Sequence, residues 1–220
     1  MNAPLPLAVT RDSADAVYER VADISNEVAG QLARRLSKET RGEVLFTPAD
    51  RGRYATDASI YQQMPVGVFV PQDADDVRVA LDICRDLAVP IVPRGGGTSQ
   101  CGQTVGAGLV IDHTKHMRRV LDVDVAARTA TVEPGLVLDH LNAQLKPHGL
   151  WYPVDVSTSA QATLGGMAGN NSCGSRSVAY GNMVHNVLGA QAWLADGSLV
   201  DFGDHASASP QAKAIGDFVR

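Results

Sequence analysis

The sequence predicts an α+β protein of two lobes: a small βαβ lobe over residues 41–105 and a larger, mainly antiparallel α+β lobe over residues 106–220. A tail and an N-terminal helix, residues 1–40, precede them. Three observations carry this reading. Two apolar runs, at 66–70 and 89–92, flank a stretch with Val77, Ala80, Leu81, Cys84 and Leu87 at helical spacing, which is the pattern of a βαβ crossover. Beyond residue 106 the apolar runs shorten and are separated by close turns. A chain of 220 residues, 45% hydrophobic and with 21 glycines, can bury a full core and carries many loops.

Taken in order, residues 1–12 read as a loose tail with Pro4 and Pro6. A helix is expected from Ser13, near Asp12 and Asp15, to about Leu36, with Val17, Val21, Ile24, Val28, Leu32 and Leu36 on one core-facing side. Val44-Leu45-Phe46 reads as a short strand, and 50–64 as a polar, irregular loop anchored by Tyr54 and Tyr61. The strand at 66–70 stops at Pro71, and Asp73 opens a helix on which Cys84 is a buried, small apolar residue. Ile91-Val92 is then a second strand, parallel to the first through that helix. Strands at 108–112, 120–123 and 129–132 read as a meander. The helix at 136–146 points Leu138, Leu141 and Leu145 inward and ends at Pro147 and Gly149. A last hairpin, 187–194 with 198–201, turns on Asp196-Gly197 as a two-residue loop. Residues 210–220 begin an amphipathic helix with Ala212, Ile215, Phe218 and Val219 on one side, so the chain reads as an N-terminal fragment of a longer protein.

Two glycine-rich loops carry the chemistry. The first, Pro93-Arg94-Gly95-Gly96-Gly97-Thr98-Ser99, follows the second strand of the crossover, at the carboxyl end where open α/β sheets place ligands. Three consecutive glycines weaken any regular element, and they let backbone N–H groups approach an anion with no Cβ in the way. The second, Thr163-Leu164-Gly165-Gly166-Met167-Ala168-Gly169-Asn170-Asn171-Ser172-Cys173-Gly174, lies about seventy residues on and is preceded by Pro153. Two such loops suit a ligand with a diphosphate and a long body. A Rossmann fingerprint fails at Gln100, and the run 97–104 matches a Walker A loop except that Gln103 stands where its lysine belongs. At Gly96 and Gly166 a branched side chain is expected to occupy diphosphate space and to be barred by a positive φ.

Composition excludes other partners. A net charge of −5 without a basic stripe argues against nucleic acid. Cys84, Cys101 and Cys173 are odd in number and widely spaced, which indicates neither zinc nor a disulfide framework and suggests a reducing compartment. No membrane span or basic leader is visible, so a cytoplasmic protein is expected. Cys173 reads as a packing residue. The histidines, His113, His116, His140, His148, His185 and His205, are scattered, and no catalytic residue is assigned.

The blocks 92–99, Ala130-Thr131-Val132-Glu133-Pro134-Gly135 and 162–174, in that order, resemble the PCMH-type FAD-binding domain of the vanillyl-alcohol-oxidase flavoprotein superfamily. Within it the sequence is most similar to FAD-linked D-2-hydroxy-acid dehydrogenases, of the D-lactate and D-2-hydroxyglutarate kind. The resemblance implies a two-lobed fold with FAD between the lobes. It implies that Gly95, Gly96, Gly97, Thr98 and Ser99 surround the diphosphate, with Arg94 either adding charge or orienting the loop. It also implies that Thr163, Gly165, Gly166, Ala168, Asn170, Asn171 and Gly174 line the cofactor, with Pro153, Asp155 and Ser157 at the entry. Thr98 stands where some relatives carry a flavin-linked histidine, and no cysteine occurs at 159–163, so a non-covalent FAD is expected. In the full-length protein a small 2-hydroxy acid and an electron acceptor are the implied partners. Two other readings stay open: a nucleotide-triphosphate-binding domain using the loop 97–104, and a non-enzymatic interaction module.

Overall fold

The computed structural model describes residues 24–203. The tail, the expected helical positions before Ile24 and the expected helix at 210–220 lie outside the described residues.

Helix α1 (Asn26–Glu39) starts where the Ser25 hydroxyl accepts the Val28 N–H at 3.2 Å. Its Val28–Leu32–Leu36 stripe packs into the first core as expected, with Leu32 and Leu36 fully buried. The expected run from Ser13 is broken at Ile24 and Ser25, because Ser25 is an extended cap and not a helical residue. Strand β1 (Glu43–Leu45) is followed by a short helix, α2 (Pro48–Arg53), in the stretch expected to be irregular. The signal was present: Thr47 caps the Asp50 N–H at 3.2 Å, and Pro48 sits at the first turn, where its missing N–H does no harm.

Strand β2 (Gly67–Val70), helix α3 (Ala74–Asp86) and strand β3 (Ile91–Arg94) form the expected crossover. Asp73 caps α3 through the Asp76 N–H, and the helix buries Val77, Ala80, Ile83 and Cys84 against the sheet. Burial pushes the Cys84 thiol up to about 12, so it is an inert core residue.

Strand β4 (Leu109–Asp112) corrects the sequence reading. The sheet order is β1-β2-β4-β3, with β2 and β3 each parallel to β4 and β1 antiparallel to β2. The strand expected to open the meander is therefore a central strand of the first sheet, inserted between the two strands of the crossover. All four of its residues are buried. An unbroken run such as Leu109-Val110-Ile111 belongs to a strand covered on both faces, which is the parallel pattern and not the alternating one.

The remaining meander strands, β5 (Val120–Asp124) and β6 (Thr129–Val132), pair antiparallel. Helix α4 (Leu138–Leu145) passes into a 3-10 turn, Lys146–His148, and stops at Gly149 with φ 70°. Leu138, Leu141 and Leu145 join Leu136, Val154, Leu164, Met167 and Met183 in a second core. Three short helices follow: α5 (Leu164–Gly169), α6 (Ser177–Tyr180) and α7 (Met183–Asn186). The final hairpin, β7 (Ala190–Trp193) with β8 (Leu199–Phe202), turns on three residues, 195–197, rather than two. The Leu194 N–H donates to Ser198 O, the Gly197 N–H donates to Leu194 O, and Gly197 takes the left-handed conformation at φ 84°. Trp193 packs on the first core, and Arg85 of α3 donates to the Asp196 carbonyl at 2.8 Å, so this hairpin is fastened to the first sheet's helix.

Candidate cofactor site

The two glycine segments meet. Gly95 approaches Thr163 so closely that a Cβ on Gly95 would lie 2.2 Å from Thr163 Oγ1, and one on Gly96 would lie 2.2 Å from the Gln161 carbonyl oxygen. Glycine is required at both positions for contact between the segments, a reason additional to any ligand. Neither Gly96 nor Gly166 has a positive φ, so close approach and not backbone conformation is what a side chain there would violate. Gly97 has one, at φ 65°, and its missing Cβ makes room for the Arg94 guanidinium, whose Nη2 would be 2.6 Å away.

Loop 94–99 leaves β3 and forms neither helix nor strand beyond Arg94. Among the described residues, none of the backbone N–H groups of Gly95, Gly96, Gly97, Thr98 and Ser99 donates to a protein acceptor. Buried or half-buried amides are normally paired, and of these five only Gly96 is exposed, so the loop holds a run of donors that the protein leaves unused. No helix follows Thr104, as a Walker A loop requires for its anion site, and the Gln103 side chain is held by Ser99 and Asn170. The triphosphate reading has no support in this geometry.

Segment 163–174 is built differently. Its first half is α5, which begins after Thr163, and most of its amides are engaged within the fold. The Gly165 N–H donates to Pro134 O at 2.9 Å, that of Asn170 to Gly166 O at 3.1 Å, and that of Asn171 to Ala168 O at 3.1 Å. Gly165 is glycine because a Cβ would lie 2.6 Å from that of Pro134. Gly174 is glycine because Asp155 closes on it, with Oδ1 2.2 Å from the position of a Cβ. The Asn171 side chain accepts the Val184 N–H at 3.0 Å, and Asn170 accepts from Gln103 at 2.9 Å. Gly166, Ala168 and Asn170 are exposed, and Gly166 and Asn170, one helical turn apart, lie on the side of the first loop, Gly166 beside Thr163 and Asn170 bonded to Gln103.

At the seam lies Thr163. It is buried, yet its hydroxyl has no hydrogen-bond partner and does not cap α5 as its position would allow. A buried hydroxyl without a partner costs about 1–3 kcal/mol. The neighbouring Gly166 N–H is likewise without a protein acceptor among the described residues. A diphosphate oxygen or ribityl hydroxyl fits this donor set, which is neutral and made of amides and a hydroxyl.

The other expected residues divide. Arg94 is committed to the protein: its guanidinium donates to the carbonyls of Thr56 at 2.8 Å, Tyr54 at 3.3 Å and Thr104 at 3.3 Å. Asp155 accepts from Ser175 Oγ at 2.7 Å and the Arg176 N–H at 3.0 Å, and the Ser175 hydrogen bond holds its carboxyl below the usual range. It organises the turn at 174–176. Pro153 is half-buried and Ser157 exposed, and neither side chain makes a contact that assigns it a role. Cys173, expected to pack, is exposed. His113 is half-buried behind the first loop, where burial lowers its pKa, and His116 pairs with Glu43; His205 lies outside the described residues. No group of three or more metal-ligating side chains occurs among the described residues. Sequence reasoning missed Tyr54, Gln103, Pro134 and Gln161 as parts of the site, because each reaches it only by tertiary approach.

The FAD binding domain family matches residues 65–203. A D-2-hydroxyglutarate dehydrogenase of Pseudomonas putida is 44% identical over 151 residues, covering 67% of this chain and 15% of its own length. The glycolate oxidase subunit GlcD of Bacillus subtilis is 38% identical over 185 residues, covering 82% of this chain and 38% of its own. The chain therefore spans well under half the length of these relatives. Among solved structures, an alkyldihydroxyacetonephosphate synthase superposes with a TM-score of 0.72 at 20% identity, over 80% of this chain and 38% of that one, a likeness of fold.

Proposed function

This chain belongs to the FAD binding domain family, and from that premise we propose that it is the cofactor-holding part of a longer flavin-dependent oxidoreductase acting on D-2-hydroxy acids. The D-2-hydroxyglutarate and D-lactate class is favoured by the resemblance of its three motif blocks and by its similarity to a D-2-hydroxyglutarate dehydrogenase and, for 2-hydroxy acids more broadly, to a glycolate oxidase subunit. The observation that carries the site assignment is the row of open amides from Gly95 to Ser99, which begins where Gly95 meets the orphaned Thr163 hydroxyl.

In this reading the amides of Gly95, Gly96, Gly97, Thr98 and Ser99 hold the diphosphate as oriented dipoles, so a chain of net charge −5 needs no lysine there, while the Ser99 hydroxyl is spent on Gln103. Thr163 Oγ1 and the Gly166 N–H donate from the opposite side. Ala168 and Asn170 give a flat wall against the cofactor body, while Asn171, Gly174 and Asp155 hold that wall in place. FAD, when bound, supplies a two-electron acceptor for oxidation of a CH–OH group. The base for the hydroxyl proton and the cations for the substrate carboxylate are assigned to the remainder of the longer protein. The cofactor is held without a covalent link, because Thr98 offers no imidazole. The cytoplasm is the proposed compartment, in keeping with three unpaired cysteines.

The test is FAD titration of the chain and of Thr163→Val. The wild-type chain should acquire a bound flavin spectrum that acid precipitation releases completely. Thr163→Val should be at least as stable without cofactor, by about 1 kcal/mol if the orphan hydroxyl is relieved, and should bind FAD about tenfold more weakly. Equal FAD affinity would remove Thr163 from the site, and absence of binding would remove the assignment. In the complete protein, anaerobic addition of D-2-hydroxyglutarate or D-lactate should bleach the flavin.

A further inference from the structure

A buried chain of contacts behind the first loop explains how three consecutive glycines hold one shape. Asp112, at the end of β4, is buried, and its carboxylate accepts from Tyr54 Oη at 2.7 Å, the Thr114 N–H at 2.8 Å and Thr114 Oγ1 at 2.7 Å. Although Arg94 stands opposite Asp112 in the β3–β4 register, the two side chains bond elsewhere, Arg94 to backbone carbonyls and Asp112 to Tyr54 and Thr114. The Tyr54 ring is interposed, with the Arg94 guanidinium carbon 5.3 Å from its centroid. A phenol that donates to a carboxylate carries a more electron-rich ring, which strengthens its attraction for the guanidinium. Burial and the Asp112 carboxylate both keep the Tyr54 hydroxyl protonated, so it remains a donor.

From Arg94 the contact passes to the loop. Its guanidinium fork reaches the Thr56 and Thr104 carbonyls, which bracket the loop on both sides, and it lies against Gly97 at the left-handed turn. The Ala58 N–H donates to the Gly97 carbonyl at 3.0 Å, and Asp57 accepts from Thr104 Oγ1 at 2.9 Å. The segment 54–58 is thus the underside of the loop.

We propose that Tyr54 and Asp112 are positioning residues for the cofactor loop: they hold Arg94 as a clamp that fixes the Gly95–Ser99 amides before FAD arrives. This rests on the FAD seat described above and deepens it. Ordering three glycines on binding is entropically costly, and a loop ordered in advance binds more tightly without any new contact. Arg94 then serves by its planar fork and not as a charge on the diphosphate. A lysine in its place has the charge without the fork.

The experiment measures FAD affinity well below the unfolding temperature for wild type, Tyr54→Phe, Asp112→Asn, Arg94→Gln and Arg94→Lys, with thermal unfolding of each apoprotein. Tyr54→Phe and Asp112→Asn should each weaken FAD about tenfold, and the double variant should be little worse than either, because both cut one chain of contacts. Arg94→Lys should bind FAD no better than Arg94→Gln. Rescue by lysine would identify Arg94 as a phosphate-facing charge and overturn the proposal. So would wild-type affinity in Tyr54→Phe, which removes the hydrogen bond, or in Asp112→Asn, which removes the negative charge that strengthens it. A wild-type chain that does not bind FAD would overturn the seat, and the clamp with it, whereas a wild type that binds and variants that match it would overturn the clamp alone.

Discussion

The two glycine segments look alike in sequence and do opposite things with their backbone. Loop 94–99 leaves five amides open and takes its shape from outside, through Arg94, Tyr54 and Asp112. Segment 163–174 closes its amides into a helical turn and into Pro134, and it uses glycine to let other chain segments pack against it. One is a cradle and the other a wall. What separates them is where the N–H groups go, which no glycine count records.

The largest effect should come from the seam between them. Gly96→Val would drive a side chain into the Gln161 carbonyl, which is backbone and cannot rotate away. We expect FAD affinity to fall by about a hundredfold or more and the apoprotein to lose about 1–3 kcal/mol, as for an overpacked contact. FAD titration and urea unfolding measure both. Unchanged affinity and stability would mean that the segments do not touch.

A smaller, sharper contrast lies between adjacent residues of the wall. Gly165→Ala meets Pro134 and should destabilise the fold by about 1–3 kcal/mol. Gly166→Ala meets only Thr163 Oγ1, at 3.1 Å, on an exposed helical face, so stability should hold or rise by up to about 1 kcal/mol. Its methyl group would project beside the open amide, and FAD should bind roughly tenfold more weakly. Should both alanines behave alike, Gly166 has no ligand-facing role distinct from packing.

Much of this architecture was legible because it is local. The βαβ crossover follows from Asp73 as a cap and from the spacing of Val77, Ala80 and Cys84, and α4 from Leu138, Leu141 and Leu145. Strand β4 was misplaced because pattern gives strands but not neighbours. Its unbroken apolar run was the overlooked sign of two covered faces. Helix α5 was read as loop because three of its six residues are glycine, which opposes helix formation; the Pro134 and Leu136 carbonyls that accept from Gly165 and Leu164 hold it in place. The Asp112–Tyr54 pair spans 58 positions, and nothing near either residue announces the other.

The smallest effect concerns acid, and it distinguishes what supports each segment. Loop 94–99 leans on a guanidinium, which stays charged at any working pH. The wall leans on Asp155, whose carboxylate is held below its ordinary value, first by the Ser175 hydrogen bond and then by the Arg176 N–H. A depressed folded-state value means that the group favours the native turn above its unfolded pKa, about 3.9 for Asp, and that this contribution disappears as pH falls through the folded value. Below about pH 4 the 174–176 turn should therefore loosen. The reporter is at hand: Arg176 lies over Trp151 at 5.4 Å and Tyr180 meets the same ring edge-on at 5.3 Å. Tryptophan fluorescence should show an acid transition in the wild-type chain that is absent or already complete in Asp155→Asn, with Trp193, on the other core, common to both traces. Superimposable titrations of the two proteins would show that Asp155 does not hold the turn, and the wall would then have to keep its shape through the amides of α5 alone.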